Sequence, residues 1–202
     1  GTPGNTTVNN YNTNNNYTGA TNFPLDGSSL TLGDSEVIGN ASALSFTAAG
    51  TLQMNGFNET VKALSSTVAT GTIQLGSSTL TLDNPTGESS GTVIVGNGTV
   101  IKNGSGIQIL TDNSANFTGE FDINNGTLAV AQANADGSGK LRINGGKLVF
   151  DYTRTTSPVS TIASLLKTSH DSSNFRDSAQ RLYSTNAADS NHSLGYVDNG
   201  ST

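Results

Sequence analysis

The chain has no cysteine, no tryptophan and a single methionine among its 202 residues. A disulfide framework and a metal–thiolate site are therefore excluded, and little in the chain can be oxidised. Charge is scarce as well: Asp, Glu, Lys and Arg make up 12%, with a formal net charge of −6. The few Lys and Arg residues are scattered, so counterion release from phosphates would contribute little to binding, and nucleic acid is not an expected partner. No apolar run approaches the ~20 residues that a membrane-spanning helix needs, so no membrane span is expected. Gly1 opens in polar sequence with neither the basic nor the apolar region of a secretory signal, so an exported form is expected to have lost its signal peptide already. With 33% hydrophobic residues the chain can bury one core, but its surface must be made mostly of Asn, Ser, Thr and Gly. Such a surface is unusual in the cytosol and suits an exposed, long-lived protein, which predicts an extracellular or cell-surface location on a bacterium.

What the chain does have is a repeat, the feature that decides architecture when its period lies between about 20 and 50 residues. A phrase of a small residue, Thr or Lys, an apolar residue, any residue and another apolar residue recurs as Gly50-Thr51-Leu52-Gln53-Met54, Gly71-Thr72-Ile73-Gln74-Leu75 and Gly98-Thr99-Val100-Ile101-Lys102. It returns at Gly126-Thr127-Leu128-Ala129-Val130 and Gly146-Lys147-Leu148-Val149-Phe150. Alternation with period two makes each phrase a short strand with one buried face. Three columns emerge from the spacing: Leu52, Ile73 and Val93; Leu80, Val100, Phe121 and Leu141; Ile107, Leu128 and Leu148. Members of a column recur at a period of about twenty, and successive columns follow at about seven, so one turn carries three strands. The first column continues onto Ser114 and Ala135, so that face thins toward the C-terminus. Asn55-Gly56, Asn97-Gly98, Asn103-Gly104, Asn125-Gly126 and Asn144-Gly145 mark the corners, where positive φ is expected. The same dipeptides serve hairpins, so an antiparallel sandwich is the competing reading. The twenty-residue register favours a right-handed parallel β-helix.

Two stretches also resemble a known family. Gly50 to Ser66, with Asn55-Gly56-Phe57-Asn58-Glu59-Thr60-Val61 at its centre, and Gly98 to Phe150 resemble the autotransporter-associated β-strand repeat. Lys102, Gly104, Gly106, Ile107, Ile109, Asn116, Thr118-Gly119, Ile123 and Asn125 to Leu128 carry the second match, which closes on Gly137 to Gly139, Leu141, Ile143, Gly145-Gly146 and Leu148. The resemblance implies a right-handed parallel β-helix from a secreted or surface protein of bacteria, and it supplies no catalytic residues.

Three regions follow from these patterns. Residues 1–27 form an Asn/Thr-rich arm or linker, with Val8, Tyr11, Tyr17 and Phe23 as the side chains that could seat it on a partner. Residues 28–150 form the β-solenoid. In residues 151–202, Ser157-Pro158 opens a helix with apolar residues at 159, 162, 163 and 166, and a second helix is predicted from about Asp177 to Tyr183. Together they would cap the open end of the coil stack, as repeat proteins require.

Candidate chemistry is thin. Because parallel β-helices also host polysaccharide-cleaving enzymes, Asp112, Glu120, Asp122, Asp136, Lys140 and Arg142 are the residues to weigh as a carbohydrate site. Asp122 and Arg142 occupy matching outward positions one coil apart, which predicts an ion pair instead. His170 and His192 lie outside the repeat, and no G-x-S-x-G elbow exists. Asp136-Gly137-Ser138-Gly139-Lys140 lacks the Ser or Thr that follows the Lys of a phosphate loop and reads as a corner. No catalytic, cofactor-binding or metal-binding residue is assigned, and neither enzymatic activity nor a cofactor is expected. The leading expectation is a structural module, a surface spacer or fibre subunit that associates with itself. An adhesin holding a glycan or a host protein along a solenoid face is the alternative; it would need aromatic residues gathered on one outward face, whereas Phe57, Tyr152, Phe175, Tyr183 and Tyr196 lie mostly near the cap. A carbohydrate-active enzyme is the third reading.

Overall fold

In the computed structural model the described residues are 7–10, 15–67, 71–112, 114–130, 138–150, 158–188 and 194–197. The chain opens with β1 (Thr7–Asn10), β2 (Thr21–Phe23), β3 (Ser29–Leu32) and β4 (Ala43–Phe46). The next coil holds β5 (Thr51–Gln53), β6 (Glu59–Val61) and β7 (Ala63–Ser66), and the one after it β8 (Thr72–Gly76), β9 (Thr79–Leu82) and β10 (Glu88–Ser90). Then come β11 (Val93–Gly96), β12 (Thr99–Lys102), β13 (Ile107–Leu110), β14 (Glu120–Ile123) and β15 (Thr127–Val130). β16 (Lys140–Ile143) and β17 (Lys147–Phe150) precede the helix α1 (Val159–Ser173) and β18 (Leu182–Tyr183).

Each strand pairs in parallel with a strand one coil away, so the fold is a parallel β-solenoid and the antiparallel alternative is excluded. Face I is the sheet β1-β3-β5-β8-β11, and face II is β6-β9-β12-β14-β16-β18. Face III is split into an upper sheet, β2-β4-β7, and a lower one, β10-β13-β15-β17. β1 and β2 lie before residue 28 and pair with β3 and β4, so the boundary drawn there falls inside the ladder.

The face II column is as its spacing predicts: Leu80, Val100, Phe121 and Leu141 stack in register. The other two columns each need a one-residue correction. On face I, Ile73 pairs with Ile94 instead of Val93, because the apolar run Val93-Ile94-Val95 cannot decide its own facing and the ladder from Ile73 does. On face III, Leu128 pairs with Gln108; the Gln is fully buried and its neighbour Ile107 is 46% exposed. Ser114 is buried where the face I column thins, and its Oγ accepts from the Ile94 N–H at 3.1 Å; Ala135 lies outside the described residues.

Buried polar side chains mark the places where the backbone ladder is interrupted. An unpaired buried peptide group costs about as much as a lost hydrogen bond, so something must replace the missing strand. Where β7 meets β10 across the split in face III, the Gln108 amide donates to Leu64 O at 2.9 Å and accepts from Leu64 N at 3.4 Å, as a neighbouring strand would. At a corner, Asn84 Nδ2 donates to Thr86 O and Ile107 O at 2.8 and 3.0 Å. Lys102, stacked between Leu82 and Ile123, turns its Nζ onto Gly104 O. Burial pushes its ammonium below the usual lysine range, opposed by Asp83.

Positive φ is found at only part of the predicted corners, Asn55 (55°), Gly56 (88°) and Gly126 (64°) among them. Gly98 is required for another reason: a Cβ there would overlap the Ser78 carbonyl oxygen of the coil above.

At the C-terminal end α1 begins at Val159 after Pro158, and Ser157 lies outside the described residues. Asn174 stops the helix in the left-handed conformation, its N–H returning to His170 O. Leu165 and Leu166 pack on the core. The predicted second helix is not there: residues 177–180 turn, and Leu182–Tyr183 join face II as β18 beside Leu141 and Arg142. The edge of β16 offered unpaired peptide groups, and pairing with it outweighs the weak helix signal of Asp177 to Tyr183.

Candidate functional site

The polar cluster richest in charge lies on the outer side of face II, where the solenoid meets its cap. Alternation sends Phe121 and Leu141 inward and therefore Glu120, Asp122, Lys140 and Arg142 outward. Parallel register then sets Glu120 beside Lys140 and Asp122 beside Arg142, with Tyr183 next in line.

The predicted ion pair forms, and it is larger than a pair. Arg142 Nη2 lies 2.5 Å from Asp122 Oδ2, and Nε lies 3.0 Å from Glu120 Oε1. Tyr183 OH donates to the other Glu120 oxygen at 2.6 Å. Asn144 Nδ2 donates to Asp122 Oδ1 at 3.0 Å, and Asn124 Nδ2 to Asp122 Oδ2 at 3.3 Å. Burial holds the Asp122 carboxyl above the usual aspartate range, with Arg142 pulling the other way. Burial, reinforced by the Glu120 carboxylate, likewise raises the Tyr183 phenol.

The cluster continues into an asparagine ladder. Asn124 donates to Asn103 at 3.2 Å, Asn144 donates to Asn124 at 2.9 Å, and Asn144 Oδ1 accepts from the N–H and hydroxyl of Thr185 at 3.1 and 2.8 Å. Thr185 takes the place that an Asn of the next coil would take. Lys140 Nζ bonds to Ser178 O, and Arg181 Nε to Gly139 O at 3.0 Å. Each charged group weighed as a carbohydrate site on this face is thus engaged with another coil or with the cap.

Glycoside hydrolysis needs two carboxyl groups about 5 to 9.5 Å apart across a cleft that admits sugar, one of them free to give a proton. Glu120 and Asp122 share one strand and one guanidinium instead. Asp112 follows β13 on face III, and Asp136 and His192 lie outside the described residues. His170 is exposed on α1, its ring edge toward Phe175 at 5.5 Å. Phe175 and Tyr183, two of the aromatic residues considered for glycan contact, are buried; Tyr152 lies outside the described residues. A cleft of about 220 Å³ opens beside the cluster, lined by Ile143, Asn144, Ser184, Asn186 and Leu194. Among the described residues no group of three His, Cys, Asp or Glu side chains is placed to hold a metal, and no helix is long and apolar enough to cross a membrane. Sequence reasoning placed Tyr183 at the end of a helix and not in this cluster, although it follows Arg142 by about two coil lengths and so falls on the same face.

Removing Arg142 is expected to free the cap. Arg142→Ala leaves Asp122 and Glu120 partly buried without their cation, a change worth about 1–3 kcal/mol for groups that keep some contact with water. Limited proteolysis checks it: cleavage within α1 should accelerate while the solenoid persists, and unchanged protection would mean that the cluster does not hold the cap.

Comparison with protein-family models, with curated proteins and with solved structures gives no match to this chain.

Proposed function

We propose that the chain is a structural module of a bacterial exported protein, a spacer or fibre subunit that gives length and durability at the cell surface. The observation that carries this reading is the use made of the polar groups on face II. Glu120, Asp122, Arg142, Asn124 and Asn144 are spent on joining one coil to the next and to the cap, and a durable rod needs that more than a ligand site does. At ~4.8 Å between stacked strands, about six coils add roughly 30 Å of length. The Asn-, Thr- and Gly-rich composition and the resemblance of residues 98–150 to the autotransporter-associated repeat support an exported, surface-exposed setting. In this reading the molecule associates with itself, or belongs to a longer parent chain, and copies join at the N-terminal end, where β1 and β2 are the outermost strands of their sheets.

An adhesin is the second reading, and one observation favours it. Ile107 and Val149, 46% and 45% exposed, both belong to the lower sheet of face III, which offers apolar surface outward. Electron microscopy of native material separates the two: surface filaments or rods are expected for the spacer, with no response on a glycan array and no reducing sugar released. Specific glycan capture would favour the adhesin, sugar release would favour the enzyme, and a cytoplasmic monomer would defeat all three.

A further inference from the structure

Face II has no strand above β6. Residues 34–38 occupy the place of one, and side chains hold them there. Glu36 N–H donates to Asn58 O at 3.0 Å, Asn58 N–H to Ser35 Oγ at 3.1 Å, and Thr60 Oγ1 to Glu36 Oε1 at 3.0 Å. The Val37 peptide is gripped from both sides: its N–H donates to Glu59 Oε2 at 3.0 Å, and its C=O accepts from the Asn15 amide.

Glu59 is the anomaly of this region. It is 1% exposed, it stands in the core column directly above Leu80, and its Oε1 makes no hydrogen bond of ordinary geometry. Glu36 is half-buried, and its Oε2, turned away from solvent, likewise makes no hydrogen bond of ordinary geometry. Glu36 also holds φ at 55°, a left-handed conformation that costs a residue with a Cβ roughly 1–2 kcal/mol. None of β2 to β5 or β7 to β9 contains a charged residue, and the exposed Asp34 and Lys62 flank the site on the solvent side. Among the described residues the one charge that faces Glu59 is thus Glu36, of the same sign.

We infer that Glu36 and Glu59 form a proton-operated latch, in which the protonated pair ties residues 34–38 to β6 and loss of the proton to solvent releases them. Two carboxyl groups in a shared low-dielectric space cannot both ionise cheaply, and a proton on one supplies the donor that the orphaned oxygen of the other lacks. Burial above all pushes the Glu59 carboxyl up from 4.5 to about 7; the Glu36 charge adds to it, and the backbone N–H groups of Ile38, Val37 and Thr60, which favour the ionised form, oppose it. The sign follows from linkage. With the closed-state value raised above that of the opened chain, the latch is fully closed below about pH 4.5, weakens as pH rises, and reaches its weakest level above about 7. A difference of 2.5 units (7 − 4.5) corresponds to about a 300-fold rise in the opening constant across that window. Opening would bare the upper edge of β6, the first strand of the six-stranded sheet and a place where another strand can add.

The test uses the full chain labelled at glutamate carboxyl carbons, of which there are four: Glu36, Glu59, Glu88 and Glu120. In an NMR titration one carboxyl should titrate near neutrality, and its signal should be missing from Glu59→Gln. Protection of the Val37 amide against hydrogen exchange, corrected for intrinsic rate, should fall about 300-fold between acid and alkaline pH in the parent chain. It should stay flat in Glu59→Gln, which keeps an oxygen for Val37 N–H and gains a donor for Glu36. Glu36→Gln, which removes the like charge, should lower the titration midpoint, and it supplies the reading should Glu59→Gln fail to fold. A Glu59 carboxyl that titrates in the ordinary range, or Val37 protection indifferent to pH, overturns the latch. So does protection restored at alkaline pH by calcium chloride and lost in Glu59→Gln, which would make the pair a cation site.

Discussion

Leu128→Asp is expected to abolish cooperative unfolding, whereas Ile107→Asp, a change of similar character at the head of the preceding strand on the same face, is expected to leave the melting curve almost unmoved. Leu128 is fully buried, pairing with Gln108 on one side and Leu148 on the other, so a carboxylate there would be desolvated without a partner. Losing a buried Leu side chain alone costs about 2–5 kcal/mol, and the unpaired charge adds several more. That sum rivals the whole stability of a typical domain, about 5–15 kcal/mol. Ile107 faces outward at 46% exposure, where substitutions usually stay within about 0.5 kcal/mol. Gln53→Lys on face I should also be tolerated at a cost of about 1 kcal/mol, since it gives up only the 3.1 Å bond from Thr31 Oγ1. Urea and thermal melts followed by circular dichroism provide the comparison. The reverse order, with Ile107→Asp the more damaging of the two, would mean that the register is shifted by one residue, which would turn both side chains over.

That comparison also shows how far the sequence could be read. The regular period between like phrases was enough to give parallel coils, three strands per turn and the whole face II column, because coil length is a property of the chain and needs no side-chain detail. Facing was legible where apolar and polar residues alternate strictly, as in Gly126-Thr127-Leu128-Ala129-Val130. It was ambiguous in the apolar run Val93-Ile94-Val95 and misleading at Ile107-Gln108-Ile109, where the side chain turned inward is the polar one. Hydrophobic pattern measures the preference of a side chain for burial and is blind to the hydrogen-bonding needs of a backbone 44 residues away, which is the separation of Gln108 from Leu64. Glu59 was hidden for the same reason: the column arithmetic places it one coil before Leu80, its ladder partner, but a glutamate there does not look like core. The Asp122–Arg142 pair was legible because both residues occupy matching outward positions in successive coils. Tyr183 was not, because helix α1 lengthens the last circuit to about twice the usual coil.

Gln108→Leu is expected to destabilise the protein although it completes the apolar column. A Leu at this position would stack on Leu128 as Leu148 does, and area considerations alone would make the change favourable by about 1–2 kcal/mol. The Gln amide, however, supplies the hydrogen bonds that a strand would have given to Leu64 N–H and C=O. Leu64 is fully buried, so no water can take over. Two peptide groups left without partners cost about 1–3 kcal/mol each, which at mid-range exceeds the gain from burial and predicts a net loss of up to about 5 kcal/mol. Gln108→Glu should be worse at neutral pH and should recover part of the loss under acid, where a protonated carboxyl can again donate to Leu64 O while its other oxygen accepts from Leu64 N–H. Denaturant melts of the three chains at neutral and mildly acidic pH provide the measurement. A Gln108→Leu variant more stable than the parent would show that the split in face III closes on its own, by β7 and β10 moving together to pair directly.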